Sequence, residues 1–259
     1  MSASSQSVSP PTAEAPPGSG RIRPWVALRA LASVVADTED TAAGARFVYA
    51  LQGRAAERVF QRFRSDRDGA RILAQRRSIR ETLVDRARLR TLPEGSLGRV
   101  YADFMDAEGI DLQGLVDATA EPAREVFGPM DAQRQLVHDR ITDLHDLWHV
   151  ATGYSRDLIG EFALLSFGYE QLGTRAYRLS LAFIRPLCAI QAPESLALID
   201  DARHRGREAS WLPVQDWEGL LAAPLDEARE RLRLGPAPEY TRYFRVGHRL
   251  RPAGSSATA

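Results

Sequence analysis

The sequence predicts an all-α fold, in which a single helical domain with a central helical hairpin lies between two tails. Three observations predict this class: apolar residues recur at helical spacing along most of the chain, no segment alternates convincingly as a strand does, and no internal repeat is present. The composition agrees, since 259 residues with 44% hydrophobic and 26% charged side chains are typical of a globular protein. We therefore expect one helical domain over residues 21–240.

Both ends of the chain are predicted to be tails. Residues 1–20 are rich in Ser, Pro and Ala and are expected to be disordered, and they resemble neither a secretory signal nor an Arg-rich transit peptide. Residues 241–259 are expected to be a C-terminal extension that is at least partly disordered, with a disordered tail from about Pro252. The sequence contains no apolar run of about 18 residues that would span a membrane as a helix. We therefore expect a soluble or peripherally attached protein.

The composition also excludes several classes of function. The chain has no Lys, so all 34 basic residues are Arg, and Schiff-base chemistry that needs a lysine amine is excluded. The formal net charge of zero argues against electrostatic binding of nucleic acid. Cys188 is the only cysteine, which excludes an intramolecular disulfide and a Cys-rich metal cluster.

Helices are predicted in succession from Pro24. The first helix carries Trp25 and Leu28 on one face, which would either attach to a membrane or pack into the core. The second ends at Gly53, a candidate for the C-cap, and a later one begins after Ser96, a candidate for the N-cap. Further helices of this half are predicted over about residues 54–65, 78–90 and 96–108.

The C-terminal half is predicted to contain longer helices. They run from Asp131 to Gly153, from about Asp157 to Pro186, and over about residues 193–209 and 224–234. Gly160, Gly168 and Gly173 interrupt the second of these. Because glycine weakens a helix, we expect another helix or a ligand to approach closely at these positions.

The segment HDLWHVATGYSRDLIGE, residues 145–161, contains the candidate site. At about 100° per residue, His145, Asp146 and His149 fall within one arc of a helix, at the edge of its apolar stripe. On the following helix, Glu161 is predicted to lie in the middle of an apolar face. The residues of that face are Leu158, Leu165, Leu172, Leu179 and Phe183. A buried carboxylate must be neutralised, paired or bound to a metal.

The turn between these helices sets the geometry. His149 lies four residues before Gly153, and Glu161 lies four residues after Asp157, so an antiparallel hairpin brings the two side chains level at about 6 Å from the turn. Two imidazoles and one or two carboxylates then converge, a ligand set that suits zinc and is acceptable to iron or manganese. The alternative is a salt bridge from Glu161 to one of the histidines without a metal.

Other polar residues are weaker candidates. His138 is expected in a supporting or surface role, and His204 on a solvated face. Several arginines near the hairpin would either grip an anionic substrate or remain solvated. These are Arg140, Arg156, Arg175 and Arg178. No Ser-His-Asp arrangement and no phosphate-binding glycine loop is apparent.

The segment HDLWHVATGYSRDLIGEFALLSFGYEQLG resembles the ubiquinone (coenzyme Q) biosynthesis protein 4 family. The family signature is His-Asp-x-x-His, eleven residues and then Glu, which corresponds to His145, Asp146, His149 and Glu161 without departure. The resemblance covers about residues 25–234. It includes LRALASVVADTEDTAAGARFVYALQG, LPEGSLGRVYADFM and DWEGLLAAPLDEARERLRL.

The resemblance implies a helical domain that binds a divalent metal, usually zinc, through His145, Asp146, His149 and Glu161. It implies a protein that acts at a membrane surface, beside other ubiquinone-biosynthesis proteins. The implied substrate is a polyprenylated hydroxybenzoate, whose ring carboxyl is removed and replaced by a hydroxyl on the same carbon. We therefore expect a cytoplasmic protein at the inner face of a bacterial membrane. Asp146 would either bind the metal or act as the general base.

Several alternatives remain open at this point. An apolar groove that includes Leu165 and Leu172, with Arg156 and Arg175 nearby, would bind the substrate. Zinc has no redox chemistry, so the oxidative step would need dioxygen activated by the substrate, or another metal such as iron. Two other functions stay open: a non-catalytic lipid-binding scaffold, and a metallohydrolase in which Asp146 replaces the usual Glu. A homodimer is also compatible with the sequence.

Overall fold

The computed structural model describes residues 20–36, 40–246 and 249–254. Most of these residues are helical, which confirms the all-α prediction. The tail predicted over residues 1–20 falls, except for Gly20, outside the described residues, as does the end of the chain from residue 255. The helices are α1 (Pro24–Ala36), α2 (Thr41–Gln52), α3 (Ala55–Ser65), α4 (Arg67–Gln75), α5 (Arg80–Val84), α6 (Arg86–Leu89), α7 (Leu97–Ala107), α8 (Leu112–Phe127), α9 (Ala132–Asp143), α10 (His145–Thr152), α11 (Leu158–Leu172), α12 (Arg175–Gln191), α13 (Ser195–Glu208), α14 (Trp217–Leu220) and α15 (Leu225–Leu232).

The first two helices form a hairpin on one side of the molecule. Asp40 caps α2 by accepting a hydrogen bond of 2.9 Å from the backbone of Ala43, and α2 ends before Gly53, as predicted. The inner face of α1 packs into a small core with Ala27 and Ala30, whereas Trp25 on the outer face is 77% exposed. Trp25 and Leu28, on the face for which both alternatives were stated, therefore lie outside the core.

The predicted long helix from Asp157 to Pro186 is wrong, because the chain breaks into α11 and α12 at Gly173. This residue adopts φ 64° and donates its N–H to the Tyr169 carbonyl at 2.8 Å, an arrangement that ends a helix. The helix that was predicted from Asp131 to Gly153 likewise divides, into α9 and α10 at Leu144. The predicted helix over residues 78–90 is in fact the short pair α5 and α6.

The main core surrounds α10 and α11. Tyr101 from α7, Phe167 from α11 and Trp217 from α14 are among its fully buried side chains. Helices α11 and α13 cross closely at Gly206, where a Cβ atom would lie 2.5 Å from the Phe167 carbonyl oxygen. The hairpin of the candidate site is therefore held by packing on several sides.

The C-terminal extension contains a β-hairpin, which the sequence analysis did not predict. Strands β1 (Tyr243–Val246) and β2 (Arg249–Pro252) pair antiparallel, with Phe244 opposite Arg251. Tyr243 and Leu250 turn inward and pack with Ile159 of α11. These long-range contacts hold the hairpin in place. The sequence of this segment is rich in arginine, so its local pattern did not indicate a strand. Among the described residues, no helix is both long enough and apolar enough to cross a membrane.

Candidate metal centre

Local signals at the turn between α10 and α11 build the candidate site. Gly153 ends α10 with φ 82° and donates its N–H to the His149 carbonyl at 2.9 Å. Asp157 begins α11 by accepting hydrogen bonds from Ile159 N at 3.1 Å and Gly160 N at 3.4 Å. The helix end and helix start that the sequence predicted are therefore confirmed.

The hairpin brings the two histidines to Glu161. The distance from His149 Nε2 to Glu161 Oε1 is 3.5 Å, and from His145 Nε2 to Glu161 Oε2 it is 3.9 Å. The two imidazole rings lie 4.9 Å apart between centroids. The side chains expected to lie level across the turn are thus together in the structure.

Each imidazole is oriented through its other nitrogen. His149 Nδ1 donates a hydrogen bond of 2.9 Å to the Tyr154 carbonyl, which can only accept, so Nε2 carries the free lone pair of the neutral ring. His145 Nδ1 is 3.2 Å from Asp146 Oδ1. Metal-binding histidines are commonly held by a carbonyl or a carboxylate in this way.

Asp146 is buried and only half satisfied. Its Oδ1 pairs with His145, whereas its Oδ2 has no hydrogen-bond partner in the described part of the chain. Ligand atoms of His145, Asp146 and His149 all lie within 4.8 Å of one another. The geometry is compatible with Asp146 either as a ligand or as the carboxylate that orients His145.

The charges around the cluster favour a cation. Burial lowers the pKa of His145, but the hydrogen bond and charge of Asp146 and the charge of Glu161 outweigh it, so the pKa is raised. Burial raises the pKa of Glu161, but the nearby His149 and His145 outweigh this effect, so the pKa is lowered. The acidic groups therefore stay ionised, and either a protonated histidine or a bound cation supplies the positive charge beside them.

An unpaired nitrogen tests whether the site fits a metal ion. His149 Nε2 is buried and has no hydrogen-bond partner among the described residues, and it faces Glu161. A buried polar atom left unpaired costs about 1–3 kcal/mol, and a lone pair that faces a carboxylate is repelled as well. A divalent cation that accepts nitrogen and oxygen ligands removes both costs, so the residues present fit such an ion. Protonation of His149 is the alternative without a metal.

Glu161 is more exposed than the sequence predicted. Its side chain is 31% exposed, and the apolar face expected around it does not extend along one helix. Leu179 and Phe183 belong to α12 beyond the break at Gly173, and Phe183 is 64% exposed. Leu165 on α11 is half-buried and Leu172 is buried. The cluster therefore lies at an open edge of the core.

Of the arginines proposed for substrate binding, Arg156 lies at the cluster. It occupies the turn, and its Nε is 3.7 Å from Glu161 Oε1. Arg175 is an exposed residue at the start of α12, and no described contact brings it to the cluster. Arg140 is buried and holds the carbonyls of Pro213 and Gln215, so it has a structural role.

Some residues of the site were not found from the sequence. Phe104 of α7 stacks on His149 with centroids 6.3 Å apart, and the Tyr154 carbonyl fixes the ring, but neither carries a recognisable motif. His138, expected in a supporting or surface role, packs instead against the rings of Tyr49 and Phe127. It belongs to the core because its ring faces α2 and α8.

The fold and the cluster together define a class: a helical protein in which one hairpin brings two histidines and two carboxylates to a candidate metal centre. The profile of a family described as "Coenzyme Q (ubiquinone) biosynthesis protein Coq4" matches residues 25–238 of the chain. The protein belongs to this family. The matched residues include the whole hairpin.

Curated relatives agree with this assignment. The chain is 30% identical over 179 residues to the mitochondrial ubiquinone biosynthesis protein COQ4 homolog of Rattus norvegicus, covering 68% of this chain and 64% of that protein. It is 30% identical over 176 residues to the mitochondrial ubiquinone biosynthesis protein coq4 of Aspergillus fumigatus, covering 68% of this chain and 59% of that protein. The match thus spans less than two thirds of the length of these relatives.

A solved structure shows the same fold. It is the crystal structure of a protein from Nostoc punctiforme PCC 73102 that is described as a candidate ubiquinone biosynthesis protein. The TM-score is 0.61 at 21% identity, and the match covers 82% of this chain and 99% of that one. At this identity the likeness concerns the fold alone.

Proposed function

We propose that this protein acts in ubiquinone biosynthesis as a metal-dependent enzyme that decarboxylates and hydroxylates a polyprenylated hydroxybenzoate at the same ring carbon. One observation carries the proposal: both histidine Nε2 atoms converge on Glu161 at an open edge of the core, with Arg156 beside them. Membership of the family supports a role in ubiquinone biosynthesis, and the histidine and carboxylate cluster supports a reaction that depends on a metal.

In this proposal His145, His149 and Glu161 hold a divalent metal, for which zinc is the first candidate and iron or manganese the alternatives. The ion supplies Lewis-acid polarisation of the substrate oxygens and a fixed template for them. Asp146 either completes the ligand set or keeps His145 oriented through Nδ1. If it stays off the metal, its unpaired Oδ2 is the atom that accepts a proton from the substrate.

Arg156 is the proposed recognition residue for the ring carboxylate. Its guanidinium is only a third exposed and lies near Glu161, so it presents a positive charge next to the site. A charge-assisted hydrogen bond to the substrate carboxylate would hold the ring in one orientation. Leu165, half-buried one turn after Glu161, offers an apolar contact for the start of the prenyl chain.

The net reaction removes two electrons from the substrate. The carboxyl group leaves as carbon dioxide, and one oxygen atom is added to the carbon that held it. Dioxygen is the proposed electron acceptor, because zinc itself has no redox chemistry. In balance, the carboxylated substrate, dioxygen and water give the hydroxylated ring, carbon dioxide and hydrogen peroxide. With iron in the same ligand set, the metal would take part in the electron transfer.

Metal analysis of protein purified without chelator tests the proposal. We expect one ion per chain in the unaltered protein and its loss in Glu161→Gln and His149→Ala, together with loss of carbon dioxide release from a carboxylated prenyl precursor. Glu170→Gln is the matched control, since Glu170 lies on the same helix but pairs with Arg203 and Arg207. A metal-free protein that retains full activity would contradict the proposal.

A second candidate function is a non-catalytic lipid-binding scaffold that organises other ubiquinone-biosynthesis proteins. The observation in its favour is the set of large apolar side chains that α1 and α12 expose. These are Trp25, Leu28, Leu179, Phe183 and Ile190. Neither helix contains an acidic residue, so both suit contact with the surface of an anionic membrane. Co-purified quinone lipid without turnover by the metal-loaded protein would favour the scaffold.

We further propose that the protein works at such a membrane surface, at the inner face of a bacterial membrane. A polyprenylated substrate resides in the bilayer, and α12 directly follows the helix that carries Glu161. Contact of α12 with the bilayer would therefore bring the open edge of the cluster close to the substrate.

A further inference from the structure

Tyr101 is a fully buried tyrosine whose hydroxyl has no explanation in the packing of the core. Its side chain is 0% exposed, and the hydroxyl has no hydrogen-bond partner among the residues that the structure describes. A phenylalanine would fill the same space without leaving a polar atom unpaired. The hydroxyl is therefore a candidate for a specific role.

Helix packing places Tyr101 beside the candidate metal centre. Tyr101 and Phe104 lie one turn apart on the same face of α7, and Asp146 and His149 lie one turn apart on the same face of α10. Helix α7 packs on α10 with Phe104 stacked on His149, so the buried Tyr101, one turn before Phe104 on the same face, also lies against α10. Burial first and then the charge of Asp146 raise the pKa of Tyr101, so this carboxylate is close enough to act on the hydroxyl.

The two side chains have complementary unpaired atoms. Asp146 Oδ1 is taken by His145 Nδ1, and Asp146 Oδ2 is a buried acceptor without a described partner. The Tyr101 hydroxyl is a buried donor without one. The pair is not in direct hydrogen-bond contact, and a single buried water molecule bridges such groups in many proteins.

We propose that Tyr101 is a positioning residue of the candidate metal centre, whose hydroxyl holds Asp146 Oδ2 through one bridging water molecule. With Oδ2 held, Asp146 keeps Oδ1 on His145 Nδ1, and His145 keeps Nε2 directed toward Glu161. This inference rests on the proposed function, because it gives Tyr101 a role only if the histidines bind a metal. It extends the site to α7, beyond the residues of the hairpin.

The test is a zinc titration of Tyr101→Phe, which removes the hydroxyl alone. Removal of a group that orients a ligand from outside the ligand set commonly weakens metal binding tenfold or more, so we expect the Kd for Zn²⁺ to rise by about tenfold. The visible spectrum of the Co²⁺-loaded protein should change as well, since the orientation of His145 is altered. Unfolding of the metal-free protein by urea should be nearly unchanged.

Two further variants separate a positioning role from a structural one. Tyr49→Phe is the control: its half-buried ring packs against Phe127 and His138 rather than against a proposed ligand, so its Kd for Zn²⁺ should equal that of the unaltered protein. If Tyr101 acts through Asp146, the double variant Tyr101→Phe/Asp146→Asn should bind Zn²⁺ no more weakly than Asp146→Asn alone.

Each outcome decides the inference. Additive weakening in the double variant, or a Kd for Tyr101→Phe within about twofold of the unaltered value, would overturn the positioning role while the metal centre stands. Equal weakening in Tyr101→Phe and Tyr49→Phe would show a general loss of stability and overturn it too. If the unaltered protein binds no zinc, iron or manganese, the proposed function fails and this inference fails with it.

Discussion

At the scale of single residues, the buried carboxyl group of Asp143 lowers the stability of the folded protein when it is ionised. Asp143, the last residue of α9, is almost fully buried, and Arg80 donates a hydrogen bond of 3.0 Å to it. Burial raises the pKa of Asp143 from 3.8 to about 6, against the opposing effect of Arg80. The group is therefore half-ionised in a pH range where it is fully ionised in the unfolded chain.

This difference predicts a pH-dependent stability. Because the folded state holds the Asp143 proton more tightly than the unfolded state does, its contribution to stability is present at about pH 4 and is lost as the pH rises through about 6. The free energy of unfolding should fall by about 2 kcal/mol more in the unaltered protein than in Asp143→Asn between about pH 4 and pH 7. Urea unfolding of both proteins at the two pH values measures it, and parallel curves would contradict the assignment.

At the scale of elements, one carboxylate connects α11 with the C-terminal segment. Asp157 caps α11 and also accepts hydrogen bonds from Tyr243 N at 3.0 Å and from the Tyr240 hydroxyl at 2.8 Å. That hydroxyl in turn accepts a hydrogen bond of 2.8 Å from Ser155 N in the turn. The turn that positions Glu161 is therefore held from a part of the chain that lies beyond the residues of the family match.

Removal of this hydroxyl should weaken the turn. In Tyr240→Phe, Ser155 N loses its acceptor and Asp157 loses one donor, so we expect a loss of about 1–2 kcal/mol in the free energy of unfolding. Faster amide exchange at Ser155 should accompany it. Tyr169→Phe is the control, because Tyr169 lies on α11, the helix that Asp157 caps, and contacts Arg203 through its ring. An unchanged Tyr240→Phe would mean that the turn is independent of the C-terminal segment.

The hairpin was predictable from the sequence because its signals are local. Gly153, Asp157 and the equal spacing of His149 and Glu161 from the turn are all contained within a few residues. Gly160 was also expected to mark a close approach, and a Cβ atom there would lie 1.9 Å from the Ser155 carbonyl oxygen. The neighbour is the turn and the C-terminal segment rather than another helix or a ligand.

What the sequence missed depends on contacts between distant residues. The apolar spacing of Leu172, Leu179 and Phe183 continues across Gly173, so the pattern alone does not mark the end of α11. The β-hairpin is recognisable only with its partners, because Tyr243 is anchored by Asp157, far away in the sequence. Tyr101 joins the site through the packing of α7 on α10, which no motif records.

At the scale of the whole molecule, the exposed apolar residues are concentrated on two helices. Trp25 of α1 is 77% exposed and Phe183 of α12 is 64% exposed. Both helices pack against α2, since Ala176 at the start of α12 shares a cluster with Ala27 and Phe47. Such side chains gain free energy by entering the interface of a bilayer.

This distribution predicts binding to lipid vesicles through α12. Phe183→Ser should weaken binding to vesicles of phosphatidylcholine and phosphatidylglycerol about thirtyfold, since insertion of one phenylalanine is worth about 2 kcal/mol. Phe244→Ser is the matched control, because Phe244 is also exposed but lies on β1. Co-sedimentation measures the effect. Equal loss in both variants, or in neither, would exclude α12 as the specific contact.

The way the α10–α11 turn is held has a consequence for the life of the protein in the cell. Gly153 ends α10, Asp157 caps α11 and the Tyr240 hydroxyl binds the turn at Ser155, so groups of the chain itself hold the turn. Zinc fingers remain unfolded until the ion arrives, whereas we expect this chain to fold before an ion binds, because these groups already hold the turn. The proposed metal centre would then bind its ion after the chain has folded, and the ion would enter at the open edge of the cluster. Cells short of the ion would accumulate intact but idle protein, and activity would return on resupply without new synthesis.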